Sequence, residues 1–156
     1  MLFVGLPLDP ERPAPNARIL VVEDDVLVSR AISRVLAHLG WEVIAAPSCL
    51  AARALACRFD LGVFELELID GSGIELAEAM LGAGQLDFAV FFTAELDTRV
   101  LGQARRVGPL VKKSEGAEAL VPVVVGHIDP VGGRSSGIRL TAAEAPVAAR
   151  PAKSAG

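Results

Sequence analysis

The sequence predicts a doubly wound α/β domain, in which a five-stranded parallel sheet carries helices on both faces. Strand-like and helix-like patterns alternate five times between residues 18 and 125. The strand segments are short and almost continuously apolar, as expected for strands that are buried on both faces. Polar side chains follow several of these segments directly. Alternation of this kind favours parallel strands joined by right-handed helical connections.

Length and composition restrict the classes of protein that fit. The chain has 156 residues, of which 52% are hydrophobic, and a net charge of −4. It is long enough to bury one core. Its acidic balance argues against a nucleic-acid-binding surface, and no apolar run reaches the ~18 residues of a membrane span. The spacing of Cys49 and Cys57 suits neither zinc nor a redox pair, so we interpret both as packing residues in a reducing cytosol.

The sequence predicts one folded domain between two terminal segments. Residues 1–17 contain four of the ten prolines, show no hydrophobic periodicity and do not resemble a signal peptide. From residue 127 to residue 156 the chain is rich in Gly, Ser, Ala, Pro and Arg. Such compositions are typical of solvated segments, so we predict disorder in both. The folded domain is therefore expected over residues 18–126.

The first two βα units are read from apolar periodicity. Residues 18–23 form a continuous apolar run that ends in acid, which predicts the first strand. Apolar residues then recur at helical spacing over residues 28–39, and a glycine follows. Residues 41–46 predict the second strand. Ser48 is a typical helix cap, so a second helix is expected to begin there and to reach about residue 57.

The remaining units follow the same pattern. Residues 60–65 predict the third strand, residues 70–73 a turn dense in Gly, Asp and Ser, and residues 73–81 the third helix. The later elements are a strand at 87–92, a helix at 97–106, a strand at 110–112 and a helix at 117–125. Pro122 lies inside the last helix, where proline costs about 3 kcal/mol, so we expect a kink or an early end there.

Polar side chains stand at the carboxyl ends of four predicted strands. Glu23 and Asp24 follow the first strand, and Glu65 ends the third. Thr93 follows the fourth, and Lys112 ends the fifth. Taken singly, each has an ordinary explanation as a helix cap or a solvated side chain. Because ligands bind outside the carboxyl ends of the strands in such sheets, we predict that all five line one shallow pocket.

This combination resembles the receiver domain of bacterial two-component response regulators. The matching segments are ILVVEDD at 19–25, DLGVFELELIDGSGIEL at 60–76, FFTA at 91–94 and LVKK at 110–113, within about 110 residues. The resemblance implies a flavodoxin-like (βα)5 sheet with strand order 2-1-3-4-5. It also implies a cytoplasmic protein of phosphorelay signal transduction that is not an enzyme.

The resemblance assigns a role to each residue of the predicted pocket. In that family an acidic pair holds Mg²⁺, and an aspartate that ends the third strand accepts a phosphoryl group from a kinase histidine. A hydroxyl and a lysine then contact the phosphoryl oxygens. Glu23 and Asp24 match the acidic pair, Thr93 the hydroxyl and Lys112 the lysine. Since Mg²⁺ takes oxygen ligands, weak Mg²⁺ binding by Glu23, Asp24 and Glu65 is expected.

The sequence departs from the family pattern at the acceptor position, where Glu65 replaces aspartate. The extra carbon moves the carboxylate about 1.5 Å outward. A misplacement of about 1 Å can cost roughly 100-fold in a positioned reaction. Ile69 and Lys113 stand where the family usually has prolines, and Pro109 where it usually has a switch aromatic. Both phosphorylation and its coupling to output are therefore expected to be altered.

Two functions remain open from the sequence. The first is a stand-alone pseudo-receiver that binds proteins, with Glu65 permanently in place of the phosphorylated acceptor. The second is a working phosphoacceptor, phosphorylated at or near Glu65, with Mg²⁺ at Glu23 and Asp24. A nucleotide- or flavin-binding enzyme is disfavoured, because the loop after the first strand is acidic. The resemblance implies a sensor histidine kinase or phosphotransfer protein as partner, and a homodimer through the fourth helix, fifth strand and last helix.

Overall fold

The computed structural model describes residues 17–128, and its centre is a five-stranded sheet. The strands are β1 (Arg18–Val22), β2 (Glu42–Ala46), β3 (Leu61–Phe64), β4 (Ala89–Thr93) and β5 (Leu110–Lys112). Their order is β2-β1-β3-β4-β5, and every neighbouring pair is parallel. The predicted flavodoxin-like sheet with order 2-1-3-4-5 is confirmed.

Residues 17–128 contain five α-helices, of which the first four connect successive strands and the fifth follows β5. They are α1 (Val26–His38), α2 (Cys49–Arg53), α3 (Gly73–Gly82), α4 (Thr98–Val107) and α5 (Leu120–Val125). The first four each begin at a side chain that accepts hydrogen bonds from free backbone amides: Asp25, Ser48, Ser72 and Asp97. These caps fix the residue at which each of the four helices begins. The helix predicted to reach residue 57 ends earlier, at Arg53.

The last helix accommodates its proline by beginning late. A 3-10 turn, Ala117–Ala119, precedes α5 and takes up the first part of the predicted helix. Pro122 therefore lies in the first turn of α5, where a backbone amide has no partner inside the helix. The helix continues to Val125, so the early end expected at Pro122 does not occur.

Alternate residues of the strands face two separate hydrophobic cores. The first core lies between the sheet and helices α1 and α5, and the second between the sheet and helices α2, α3 and α4. In β1, Ile19 and Val21 belong to the first core, whereas Leu20 and Val22 belong to the second. All four are completely buried. This two-residue period explains why the strands read as continuous apolar runs.

Packing extends slightly past the predicted domain boundaries. Ala17 and Ile128 are buried in the first core, and His127 stacks on Phe88 with ring centroids 3.5 Å apart. The folded unit therefore includes positions 17, 127 and 128, which the sequence analysis assigned to the terminal segments. The rest of those segments, residues 1–16 and 129–156, lies outside the described residues. Between residues 17 and 128, no helix combines the length and the apolar character needed to cross a membrane.

Candidate functional site

The candidate site lies where β1, β3 and β4 end. Glu23 and Glu65 each come one residue after a strand and still pair with its neighbour. The Glu23 amide donates to the Ala46 carbonyl at 3.1 Å, and the Glu65 amide to the Val22 carbonyl at 3.0 Å. Thr93 is the last residue of β4. Glu23, Glu65 and Thr93 are the polar residues that the described part of the chain buries, and buried polar groups require partners.

Both carboxylate oxygens of Glu65 are engaged. Oε2 accepts a hydrogen bond from the Thr93 hydroxyl at 2.6 Å and another from the backbone amide of Leu66 at 2.5 Å. Oε1 lies 2.6 Å from the ammonium nitrogen of Lys113. Hydrogen bonds to an ionised carboxylate are short and strong, so this side chain is held on both sides.

Lys113 bridges the two buried carboxylates. Its Nζ lies 2.8 Å from Oε2 of Glu23 and 2.6 Å from Oε1 of Glu65. The side chain is 21% exposed, so the ion pairs are only partly open to solvent. The structure therefore corrects the prediction of Lys112, because Lys113 is the lysine that reaches the site.

The correction follows from where β5 ends. Lys112 is the last residue of the strand and pairs in register with Thr93, whereas Lys113 begins a 3-10 turn. Lys112 makes no ion pair with any residue between 17 and 128. A shift of one residue along a strand reverses the direction of the side chain, so two adjacent lysines point to different places. Spacing in the sequence cannot distinguish two identical neighbours.

Two positions of the family pattern are counted from the site lysine, so both shift by one residue when Lys113 replaces Lys112. Leu110, not Pro109, stands three residues before the site lysine, where the switch aromatic was expected. Ser114, not Lys113, follows the site lysine, where a proline was expected. Neither residue has the expected chemistry, so both departures from the family pattern persist after the correction.

Burial and the ion pairs act in opposite directions on the site's pKa values. Burial raises the pKa of Glu23, and Asp24 adds to this increase. Lys113 and the Asp25 amide lower the pKa of Glu23, but the effect of burial is larger. Burial lowers the pKa of Lys113, but hydrogen bonds to Glu23 and Glu65 outweigh this effect and the net pKa is raised. Lys113 is therefore held in its charged form.

The predicted metal ligands do not assemble into a metal site. Asp24 is exposed, and Asp25 caps α1. One oxygen of Glu23 accepts from the Asp25 amide at 3.1 Å, and its other oxygen faces Lys113. Within residues 17–128, no three His, Cys, Asp or Glu residues are arranged to hold a metal ion. The donor set does not fit the Mg²⁺ implied by the family resemblance, because the Lys113 ammonium already lies at ion-pair distance from both buried carboxylates.

The loop after β3 contains a contact that the sequence analysis did not predict. Residues Glu67–Leu68 and Gly71–Ser72 form a two-stranded antiparallel hairpin. At its tip, the Asp70 carboxylate accepts from the backbone amides of Cys49 at 2.8 Å and Leu50 at 2.9 Å, where α2 begins. The amides of Leu50 and Cys49 lower the pKa of Asp70. The partners are about twenty residues apart in sequence, so no local pattern reveals the contact.

Exposed apolar side chains lie at the same end of the sheet as the polar site. An open groove of about 260 Å³ lies beside Lys113, and its other lining residues are Leu27, Val28, Ala31, Phe92 and Ala117. The large apolar side chains that residues 17–128 expose are Val26, Leu27, Leu50, Ile69 and Leu96, with exposed fractions of 59% to 81%. Each of these five lies in a segment that leaves the carboxyl end of a strand. We call these five side chains the apolar rim.

Comparisons with known proteins point to one fold. No family model matches the sequence, and no curated protein matches it. Among solved structures, a CheY-like receiver domain protein from Methanospirillum hungatei is 22% identical, with a TM-score of 0.64, over 71% of this chain and 92% of that chain. CheY4 of Vibrio cholerae, a chemotaxis response regulator, is 23% identical, with a TM-score of 0.61, over 70% of this chain and 96% of that chain.

A third match extends the comparison to a longer protein. The response regulator DrrB of Thermotoga maritima is 21% identical, with a TM-score of 0.64, over 70% of this chain but only 51% of that chain. In this chain the five strands of the sheet have the order β2-β1-β3-β4-β5, and Glu23, Glu65 and Thr93 are buried where three of them end. The chain thus has the flavodoxin-like fold of the response-regulator receiver (CheY-like) domains.

Proposed function

We propose that this chain is a pseudo-receiver, a cytoplasmic module of two-component (phosphorelay) signalling that acts by binding proteins and not by catalysis. The observation that carries the proposal is the double engagement of Glu65, by the Thr93 hydroxyl at 2.6 Å and by the Lys113 ammonium at 2.6 Å. By resemblance, these two residue types contact the phosphoryl oxygens of a phosphorylated receiver. The longer side chain of Glu65 meets both groups without a phosphoryl group.

The same contacts disfavour the alternative of a working phosphoacceptor. In-line phosphoryl transfer requires a free carboxylate oxygen as nucleophile, and cations that neutralise the transferred group. Glu65 is only 8% exposed, and both its oxygens have partners. Lys113 is already shared between Glu65 and Glu23. A phosphodonor would have to displace this entire arrangement before it could react.

The apolar rim supports a protein-binding role. Exposed apolar groups that cluster at one end of a molecule commonly mark interaction sites. The rim lies at the same end of the sheet as the site and includes Val26 and Leu27 in the first turn of α1. By the family resemblance, the first helix is the surface that docks a histidine kinase or a phosphotransfer protein. A homodimer through α4, β5 and α5 remains part of the proposal. Arg99, Arg105 and Arg106 of α4 are exposed, so a contact made through this helix would be sensitive to salt.

The first test asks whether Glu65 accepts a phosphoryl group. The full chain is incubated with acetyl phosphate and Mg²⁺ and examined by intact mass spectrometry. We expect no added phosphoryl group on the wild type, because the nucleophile is engaged. Glu65→Asp shortens the side chain by one carbon and withdraws it from its partners, so this variant is expected to gain one phosphoryl group. Glu65→Gln is the matched variant that cannot react.

Phosphorylation of the wild type that Glu65→Gln abolishes would establish the alternative function and refute the pseudo-receiver.

Partner binding is measured separately, with purified helical phosphotransfer domains from the same organism at low and high salt. We expect binding by both the wild type and Glu65→Asp, weakened by salt and by Leu27→Ser in the rim. A complete lack of binding by either protein would remove a phosphotransfer partner from the proposal.

A further inference from the structure

We infer that the Lys113 ammonium is the resident cation of this site and takes the place of a divalent metal ion. The inference goes beyond the proposed function, because it holds whether or not the chain binds a signalling partner. It concerns how two acidic side chains are kept together at one sheet edge. The contacts of Glu23, Glu65 and Lys113 carry it.

Two carboxylates this close together require a positive charge. Glu23 is 2% exposed and Glu65 is 8% exposed, so water screens neither well. Burying an ionised carboxylate is costly unless it is paired. Within residues 17–128, Lys113 is the cation in ion-pair contact with these carboxylates, and it contacts both. The charge that a metal ion would otherwise supply therefore comes from the chain itself.

The geometry suits an ammonium group. An ammonium is a compact point charge that does not require a fixed ligand geometry, and its nitrogen here lies 2.8 Å from Glu23 and 2.6 Å from Glu65, both close ion-pair distances. Mg²⁺ instead requires oxygen ligands at about 2.0–2.1 Å in a near-octahedral shell. The other oxygen of Glu23 accepts a hydrogen bond from the Asp25 amide. The other oxygen of Glu65 accepts from the Thr93 hydroxyl and the Leu66 amide. A metal ion would have to break these contacts as well.

The surroundings of Lys113 also favour a lysine in this position. Its side chain lines the groove together with the apolar residues Val28, Phe92 and Ala117. A lysine stem packs well along apolar surface while its charged end reaches a polar partner. Here the charged end lies at the two carboxylates, so the groove and the carboxylates together hold the ammonium in place.

The test measures metal binding directly on the full chain. Mn²⁺ binding is followed by the loss of the free-ion signal in electron paramagnetic resonance, with Mg²⁺ as competitor. Removing a positive charge beside a cation site should increase Mn²⁺ affinity on the order of tenfold or more, so Lys113→Met should bind where the wild type does not. Lys112→Met removes the neighbouring charge and should behave as wild type. Glu23→Gln added to Lys113→Met should abolish the gain.

A second readout uses thermal unfolding. Lys113→Met should melt below the wild type, and added Mg²⁺ should raise its melting temperature, because a ligand that binds the folded state stabilises it. The melting temperature of the wild type should not respond to Mg²⁺. If Lys113→Met folds only when Mg²⁺ is present, the inference is supported.

Three results would overturn the inference. The first is saturable millimolar Mn²⁺ binding by the wild type that Glu23→Gln abolishes. The second is a folded Lys113→Met variant with no gain in Mn²⁺ affinity. The third is a Lys113→Met variant that does not fold and is not rescued by Mg²⁺. The measurement on the wild type is available in every case and does not depend on any signalling partner.

Discussion

Glu65 is one carbon longer than the aspartate expected from the family resemblance, and this extra length lets its carboxylate reach two neighbouring side chains. The longer side chain contacts Thr93 on one side and Lys113 on the other, with both contacts at 2.6 Å. A carboxylate held in this way is positioned as a fixed partner of the two groups. At the scale of single residues, this substitution converts a reactive position into a structural one in our proposal.

Lys113 should make stability fall at alkaline pH. Its folded-state pKa is raised above 10.5 by hydrogen bonds to Glu23 and Glu65 that outweigh the effect of burial. Between the unfolded and folded pKa values, the folded state keeps a proton that the unfolded state has lost. This contribution to stability is therefore complete below the unfolded pKa and is lost as pH rises through the folded pKa.

The alkaline effect is measured as the difference in unfolding free energy between the wild type and Lys113→Met. Urea unfolding from about pH 8 to about pH 12 gives this difference at each pH. We expect it to shrink as pH rises. For Lys112→Met, which removes a lysine outside the site, the difference should stay small throughout. A constant difference for Lys113→Met would contradict the assigned protonation.

At the scale of elements, α3 begins in direct contact with the end of β3. The Gly73 amide donates to the Leu66 carbonyl at 2.8 Å. A Cβ atom at Gly73 would lie only 1.8 Å from the carbonyl oxygen of Glu65. The absence of a side chain therefore lets the helix approach the backbone of the residue that forms the site.

Gly73→Ala should destabilise the fold, because the helix start must move away from the end of β3. Overpacking of this kind typically costs about 1–3 kcal/mol. The matched control is Gly82→Ala in the same helix, where an added Cβ meets nothing within 4 Å. That variant should be more stable than wild type by about 0.5–1 kcal/mol, because alanine favours the helix. Urea unfolding of both variants distinguishes the two effects. Equal changes at the two positions would show that the close approach to Glu65 does not matter.

At the scale of the whole molecule, the sheet separates two cores, and the end of the described chain completes one of them. Ile128 is only 5% exposed and packs in the core beneath α1 and α5. The preceding residue, His127, stacks on Phe88 just before β4. The chain after α5 is therefore part of the fold as far as Ile128.

Ile128→Ala should destabilise the protein, because it removes buried apolar volume that the core cannot refill. Truncation of a buried isoleucine to alanine typically costs about 2–5 kcal/mol. We expect a value near the lower end, since the residue lies at the edge of the core. Val26→Ala is the control, because Val26 is 59% exposed, and its effect should stay within about 0.5 kcal/mol. Thermal or urea unfolding measures both. A neutral Ile128→Ala would place the fold boundary at residue 126, as the sequence predicted.

The sequence by itself determined the architecture and most of the site. Five apolar strand segments and the helical periodicity between them predicted the order of elements, because these patterns are local and repeat with a fixed period. Glu23, Glu65 and Thr93 could be placed together because parallel strands bring their carboxyl ends to one edge. The structure brings these three side chains together, whereas Asp24 stays exposed.

Only the tertiary structure decided which lysine enters the site and whether the carboxylates remain free for a metal ion. The direction of Lys113 depends on β5 ending at Lys112, which no local pattern distinguishes between two adjacent lysines. The hydrogen bonds from the first amides of α2 to the Asp70 carboxylate join residues far apart in sequence. Side-chain direction at a strand end and contacts between distant segments arise only when the whole sheet is assembled, so the sequence alone could not reveal them.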